Sequence, residues 1–547
     1  MSRKSVLGAA IGECIHVAGL LSFLRLAEGA GFETVFLGPA VPVADVVGQI
    51  REHSPELVAI SYRLSPQSSR NLLESLASEV SADPSLRGRR YIFGGTTATA
   101  AVAREMGIFE EVFDGTEAAE EIRSFLEGKC LSKDSREYPD TLLERLAFKH
   151  PLPLLRHHIG LPSIQETVDA VRAIARAGVL DVVSVAPDQR AQEAFFRHTE
   201  DGDKSAGAGG VPLRKREDLV RIYEASRCGN YPLLRCYSGT NDVMQWAQML
   251  LETIKNAWCA VPLCWYSVLD RRSPRSVSQA VAEAQQLMKW HAERDIPVEM
   301  NEAHQWSLRR APDSVGVAMA FIAAYNAKQM GVRHYVSQYM LNTPGEISPV
   351  MDLAKMLAEI EMVESLHDAS FQSYRQARLG LLGFPADLDA ARGQMAWATV
   401  LGLMLNPRII HVVAYCEGQY AATSKEIIES CKMVDQLIIE HGRGFPQGLL
   451  ADRSVGARKA ELLEDADALI EAIKALARNG ADPLADPGVI ETAVRTGLLD
   501  APDLKGNVIA RGEIVTALVD GACVAVDTKS GRRLPERDRI SRVFASL

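Results

Sequence analysis

Three short stretches near the start of the chain carry residues that could do chemistry at comparable points. Gly12-Glu13-Cys14-Ile15-His16-Val17-Ala18-Gly19 follows a short apolar run. Ser61 closes Leu57-Val58-Ala59-Ile60-Ser61, and Gly94-Gly95-Thr96 follows Tyr91-Ile92-Phe93. An imidazole can ligate a metal, a hydroxyl can bond a polar group, and paired glycines let a ligand approach the main chain closely. Each element has a plainer reading alone. A histidine at a strand end is more often structural than ligating, and a Gly-Gly pair is usually only a turn. Together they mark successive strand ends of one sheet, and ligands of open α/β sheets bind outside the carboxyl ends of the strands.

The elements that must position these residues alternate. Strands are expected over 5–10, 34–37, 57–61, 90–93 and 111–113, with helices over 17–30, 43–53, 67–81, 98–106 and 118–126. This spacing predicts a parallel, doubly wound sheet of about five strands over residues 1–128. A polar linker is expected over 129–149. A second alternating series has strand candidates at 152–157, 181–186, 232–237, 261–268, 297–303, 334–340 and 408–414. With one further strand these suit a TIM-type (β/α)8 barrel over 150–450, which takes about 250 residues in its usual form. An open sheet is the alternative. The charged stretch 354–378 reads as a helical insertion, and 201–210 as a mobile loop. Residues 451–547 form a small C-terminal cap, with a long helix over 457–479 and a β-unit over 506–527.

Composition narrows the class. The chain has 547 residues, 47% hydrophobic and 24% charged, the profile of a globular rather than a disordered protein. A net charge of −10 argues against nucleic acid as a partner. No apolar run is long enough to span a membrane, and the N-terminal residues lack the apolar core of a signal peptide. The nine cysteines are scattered without a Cys-x-x-Cys pair, which disfavours a zinc ribbon, a radical iron–sulfur site and a disulfide framework. A cytoplasmic, reducing setting is expected.

In their order, the three strand-end motifs resemble the cobalamin-binding domain. That family carries Asp-x-His-x-x-Gly, then Ser-x-Leu, then Gly-Gly. His16 and Gly19 match the first motif, with Cys14 at the Asp position. Ser61 matches the second, with its Leu one residue late at Leu64, and Gly94, Gly95 and Thr96 supply the third. The resemblance implies a cobalamin cofactor with His16 as lower cobalt ligand and Ser61 and the glycines lining the channel for the nucleotide tail. A metal-bound histidine is normally oriented by a carboxylate on its other nitrogen. With Cys14 in place of the Asp, either Glu13 takes that role, or His16 binds weakly, or cobalamin binds without a protein histidine.

The second series resembles the catalytic chain of glutamate mutase (methylaspartate mutase). The resemblance rests on Leu155-Arg156-His157-His158-Ile159-Gly160, Leu234-Arg235, Glu302-Ala303-His304-Gln305-Trp306, Asn342-Thr343-Pro344-Gly345-Glu346 and the tail Thr496-Gly497-Leu498-Leu499-Asp500-Ala501-Pro502. It implies a sheet docked at a barrel mouth and a carbon-skeleton rearrangement of a small carboxylate-bearing substrate. In that mapping Arg235 binds the carboxylate and Arg156 assists, Glu302 and His304 are the catalytic groups, and Glu346, or alternatively Glu417, faces the adenosyl ribose. Glutamate itself is not expected, because fewer arginines are retained than glutamate mutase uses. Plainer readings are that Arg235 pairs with a buried acid, His304 is a core histidine and Glu302 caps a helix. Adenosylcobalamin is the expected form, with methylcobalamin the alternative. A homodimer and a reactivating ATPase chaperone are expected partners. The competing classes are a corrinoid-dependent methyltransferase, disfavoured by the missing helical cap and zinc cluster, and a non-catalytic cobalamin carrier or sensor.

Overall fold

The computed structural model describes residues 4–115, 117, 122–123, 125–126, 138–197, 206–380, 382–444, 448–477 and 482–546. The chain divides into two compact units, Met1–Arg136 and Glu137–Leu547. Most of the helix expected over 118–126, the linker residues 129–137 and the loop residues 201–205 lie outside the described residues.

The first unit is a parallel sheet of β1 (Ser5–Ile11), β2 (Glu33–Val41), β3 (Leu57–Tyr62), β4 (Arg90–Gly95) and β5 (Glu111–Phe113), in the order β2-β1-β3-β4-β5. β3 is buried along its whole length, as a central strand covered on both faces must be. One helical layer packs Leu20, Phe23, Leu24 and Ala27 against it. The opposite layer packs Val46, Val47, Ile50, Leu73 and Leu76. Each fully buried aliphatic side chain contributes roughly 1.5–3 kcal/mol. The strand order reverses between β1 and β3, so the loops after these two strands flank the crevice where the sheet changes winding.

The second unit holds eight parallel strands: β6 (Leu154–Ile159), β7 (Val182–Val185), β8 (Leu233–Cys236), β9 (Cys259–Val261), β10 (Val298–Met300), β11 (His334–Met340), β12 (Gln372–Arg378) and β13 (Ile409–His411). Their order, β8-β7-β6-β13-β12-β11-β10-β9, is that of a nearly closed barrel. Between β8 and β9 there is no residue-by-residue ladder. The gap is bridged by the amides of Ala257 to Leu234 O (2.9 Å) and Ser238 to Ala260 O (3.1 Å), and by Cys236 N–H to Asn256 Oδ1 (2.8 Å).

Two expectations fail here. The stretch 354–378 is not a helical insertion: the helix Pro349–Glu364 ends, and the missing barrel strand β12 follows. The strand expected over 261–268 is instead the shorter β9 at Cys259–Val261. The apolar residues after it, Leu263, Cys264 and Trp265, are buried in loop conformation.

The C-terminal segment belongs to the barrel unit. It contributes the helix Arg453–Lys474 and the hairpin β14 (Thr516–Val519) and β15 (Ala522–Ala525). Cys523 N–H and Arg458 Nη2 both donate to Asp313 Oδ2, each at 3.1 Å. Lys355 lies 3.7 Å from Asp313 and 3.6 Å from Asp352 in the same buried cluster. Burial pushes the carboxyl of nearby Glu359 up to about 8, against the pull of Lys355 and with repulsion from Asp352 and Asp313. Among the described residues, no helix is long and apolar enough to cross a membrane.

Candidate functional site

At the carboxyl edge of the first sheet, the loop after β1 is held by main-chain bonds. Gly12 N–H donates to Val41 O (2.9 Å) and Ala40 N–H to Cys14 O (2.9 Å). Gly12 stands at φ +65, and a Cβ there would also lie 2.4 Å from a Leu72 methyl. Cys14 is wholly buried, so it replaces the family Asp as a packing residue. Ile15, His16 and Gly19 are exposed beyond it. Glu13 accepts from the Tyr62 hydroxyl at 2.6 Å, so Tyr62 is the partner that structure gives it. That bond is the main reason its carboxyl is held below the usual range.

Ser61 pairs with Gly94 across β3 and β4. The two glycines differ physically. A Cβ on Gly95 would fall 2.3 Å from Thr99 Oγ1 and 2.7 Å from Tyr62 O, so glycine is required there by packing. A Cβ on Gly94 would meet nothing within 4 Å. The space beside Ser61 is therefore open to a ligand, and the exposed imidazole of His16 is a suitable metal donor. This edge fits a cobamide. Thr96 caps the helix Thr97–Glu105 through a reciprocal bond with Thr99, which accounts for its hydroxyl locally.

The barrel lumen is polar. Arg156 and Arg235 are 1% and 0% exposed. Arg235 Nη2 donates to Glu299 Oε2 at 3.1 Å, and Trp258 Nε1 donates to the same oxygen at 2.6 Å. Both guanidinium groups lie near the Trp258 ring, at 5.7 and 5.4 Å. Arg156 donates to Ser184 Oγ at 2.9 Å and to His411 Nδ1 at 2.8 Å. Guanidinium has no acceptor, so Nδ1 of His411 accepts and its proton sits on Nε2. His158 Nε2 lies 3.3 Å from Arg235 and 2.9 Å from the Tyr237 hydroxyl. Burial, then the neighbouring cations Arg156, Arg235 and Arg378, holds the His158 imidazole well below its ordinary range. Burial and the proximity of Arg235 lower Arg156 itself to about 9. Among the described residues, five buried atoms here have no hydrogen-bond partner: Nε of Arg156, Arg235 and Arg378, Oε1 of Glu299 and Oε1 of Gln376.

His304 is 5% exposed, and Gln338 Nε2 donates to its Nδ1 at 3.0 Å. Gln376 Nε2 in turn donates to Gln338 Oε1 at 3.2 Å, so two amides orient this imidazole. Burial and then Arg378 lower it to about 3, which keeps it neutral. The Glu302 carboxylate is committed to three donors: Leu263 N–H (2.7 Å), Cys264 N–H (3.1 Å) and Trp306 Nε1 (2.9 Å). That arrangement anchors the loop after β9 and makes Glu302 a positioning residue. Glu346 is exposed on the loop after β11 at φ +66, a strained setting for a non-glycine residue. Glu417 lies elsewhere, 3.0 Å from His157 Nε2.

The structure thus places Arg156 and Arg235 on barrel strands and His304 on the short helix Ala303–Leu308 that follows β10, and sets Glu302, Glu346 and Glu417 apart. It adds Glu299, His158, His411 and Arg378, which sequence reasoning missed. Glu299 had a signal, a charge between Val298 and Met300, and His158 stands in the Arg156-His157-His158 stretch of β6. Arg378 had none, because β12 itself was not visible.

Residues 4–123 match the family described as the B12 binding domain, so the first unit carries a cobalamin-binding domain. Among solved structures, a novel cobalamin-binding protein from Desulfitobacterium hafniense DCB-2 is similar at 26% identity over 22% of this chain and 56% of that chain, with a TM-score of 0.20. The apo form of OxsB, a cobalamin-dependent S-adenosylmethionine radical enzyme, matches at 8% identity over 80% of this chain and 56% of that chain, with a TM-score of 0.20. The chain thus spans 56% of the length of each of these two. NtrX from Brucella abortus matches at 11% identity over 80% of this chain and 100% of that chain, with a TM-score of 0.17. No curated protein matches the chain.

Proposed function

We propose that the chain is a cobalamin-dependent carbon-skeleton mutase, an intramolecular transferase acting on a small carboxylate-bearing substrate other than glutamate. The observation that carries the reading is the pair of buried arginines, Arg156 and Arg235, each with an Nε lacking a partner inside a barrel. The cobalamin-binding domain in the same chain supplies the second half of the argument. Adenosylcobalamin, when bound, supplies hydrogen-atom abstraction and return.

The chain's own residues do the rest. His16 would ligate cobalt, with Ser61, Gly94 and Gly95 along the nucleotide tail and Gly19 at the rim. Arg235 and Arg156 hold the substrate carboxylate, since a guanidinium fork fixes both position and angle. His304, neutral and oriented by Gln338, hydrogen-bonds at the reacting centre. Glu302 keeps the loop after β9 in place. Glu346 would contact the adenosyl ribose, with Glu417 the alternative. Burial of Arg156 and Arg235 beside the Trp258 ring keeps water from competing for them.

Spectral titration of the purified chain with adenosylcobalamin tests the first half, and His16→Ala should weaken or alter the change. Electron paramagnetic resonance with cofactor and substrate should then show a coupled cobalt–radical signal. Stoichiometric methyl transfer from methylcobalamin without that signal would establish the methyltransferase instead.

A further inference from the structure

We infer that Arg378 completes a lumen built for a small dianion that carries no ammonium group. This rests on the carboxylate site proposed above and narrows its ligand. Arg378 closes β12 and pairs in register with His411 of β13, which pairs in turn with Arg156 of β6. Three neighbouring strands therefore carry Arg378, His411 and Arg156 on one rung. Ala377, one residue earlier, packs outward, its Cβ 3.3 Å from where a Cβ on Gly402 would stand. Alternation along the strand places Gln376 and Arg378 on the inward face.

The charges in this lumen do not balance. Among the described residues, Glu299 is the carboxylate set against Arg156 and Arg235, its Oε2 already accepts from Arg235 and Trp258, and Arg378 has no ion pair. The imidazoles of His158, His304 and His411 remain neutral beside these cations. Of the next charged groups outward, Glu302 is bonded to three donors and lies within electrostatic reach of Arg309. Among the described residues two positive charges are left in excess, and all three guanidinium groups keep an unpartnered Nε. A dicarboxylate matches that excess. An amino dicarboxylate brings only one net negative charge and sets its ammonium among three guanidinium groups. The free Oε1 of Glu299 and Oε1 of Gln376 are acceptors that suit a neutral donor such as a hydroxyl.

Isothermal titration of the full chain, without corrinoid, tests this with succinate, glutarate, aspartate, glutamate and butyrate. Succinate or glutarate should bind at least about tenfold tighter than the amino acid of the same length and than butyrate. Arg378→Met should weaken the dicarboxylate about thirtyfold or more while moving butyrate little. Arg378→Lys keeps the charge but not the fork, and should preserve the order of affinities at lower strength. It secures the test if the methionine variant does not fold. No dicarboxylate binding to the wild type, an amino acid binding as tightly as its dicarboxylate, or an unchanged preference in Arg378→Met would overturn the inference. Dicarboxylate binding without a radical signal in the loaded enzyme would instead retain the inference and reject the mutase reading.

Discussion

Replacing Arg235 by methionine isolates the electrostatics of the lumen. Arg235 and Glu299 are each fully buried, with Nη2 and Oε2 3.1 Å apart. Removing one partner of a buried pair strands the other charge, at a cost of about 3–5 kcal/mol. In the wild type, burial pushes the Glu299 carboxyl up, but Arg235, Arg156 and Trp258 outweigh it and the net shift is downward. Its contribution to stability is therefore present above the unfolded carboxyl range and is lost as pH falls through the folded value. In Arg235→Met the largest of the opposing pulls is gone and burial drives the carboxyl up. The deficit of the variant should then be greatest near neutral pH and shrink as acid protonates Glu299. Urea unfolding followed by tryptophan fluorescence measures this in the right unit. All six tryptophans (Trp246, Trp258, Trp265, Trp290, Trp306 and Trp397) lie in Glu137–Leu547. Adding Glu299→Gln should recover a substantial part of the loss, because the stranded charge disappears. A loss below about 1 kcal/mol at neutral pH, or a double variant no more stable than Arg235→Met, would refute the reasoning.

The two glycines of the first sheet should separate binding from folding. Gly94→Leu should leave the first unit folded by circular dichroism and weaken cobalamin about tenfold or more, whereas Gly95→Ala should cost that unit about 1–3 kcal/mol through its clash with Tyr62 O. The buried acid of Glu359 predicts a pH dependence of opposite sign to that of Glu299. Its unfolded carboxyl ionises from near 4.5 while the folded one keeps its proton to about 8, so stability should fall across that window by up to about 1.4 kcal/mol per pH unit. Glu359→Gln should flatten the slope in urea titrations across that range, and a slope parallel to wild type would count against the assignment.

The first sheet was legible because its strands are apolar runs that end in small or polar residues. β2 was expected only over 34–37, yet it runs on through Gly38-Pro39, which is accommodated where β1 and β2 shift register between Gly8 and Ala9. In the barrel, Arg156 and Arg235 stood out as charges inside Leu154-Leu155-Arg156 and Leu233-Leu234-Arg235-Cys236. β12 did not stand out, because Gln376 and Arg378 take the inward positions that apolar residues usually mark. A polar lumen erases the alternation by which a strand is recognised. Glu302 drew attention through its neighbours His304 and Trp306, while Glu299, three residues earlier, is the carboxylate that meets Arg235. Local sequence does not reveal which acid on a short strand faces inward, since β10 spans only Val298–Met300.

The incomplete seam between β8 and β9 links the barrel wall to the anion site. Elsewhere adjacent staves are zipped together, as along the seven paired residues of β11 and β12. At the seam, separation breaks two main-chain bonds and the Asn256 contact, each worth about 1 kcal/mol net, and also the buried Arg235–Glu299 pair, which crosses it from β8 to β10. The wall there is held by a buried ion pair as much as by main-chain bonds. One lip of that seam is β8, the stave that carries Arg235, so the group that would recognise an incoming anion is also the one that fastens the wall, and an anion drawing Arg235 from Glu299 would loosen the seam.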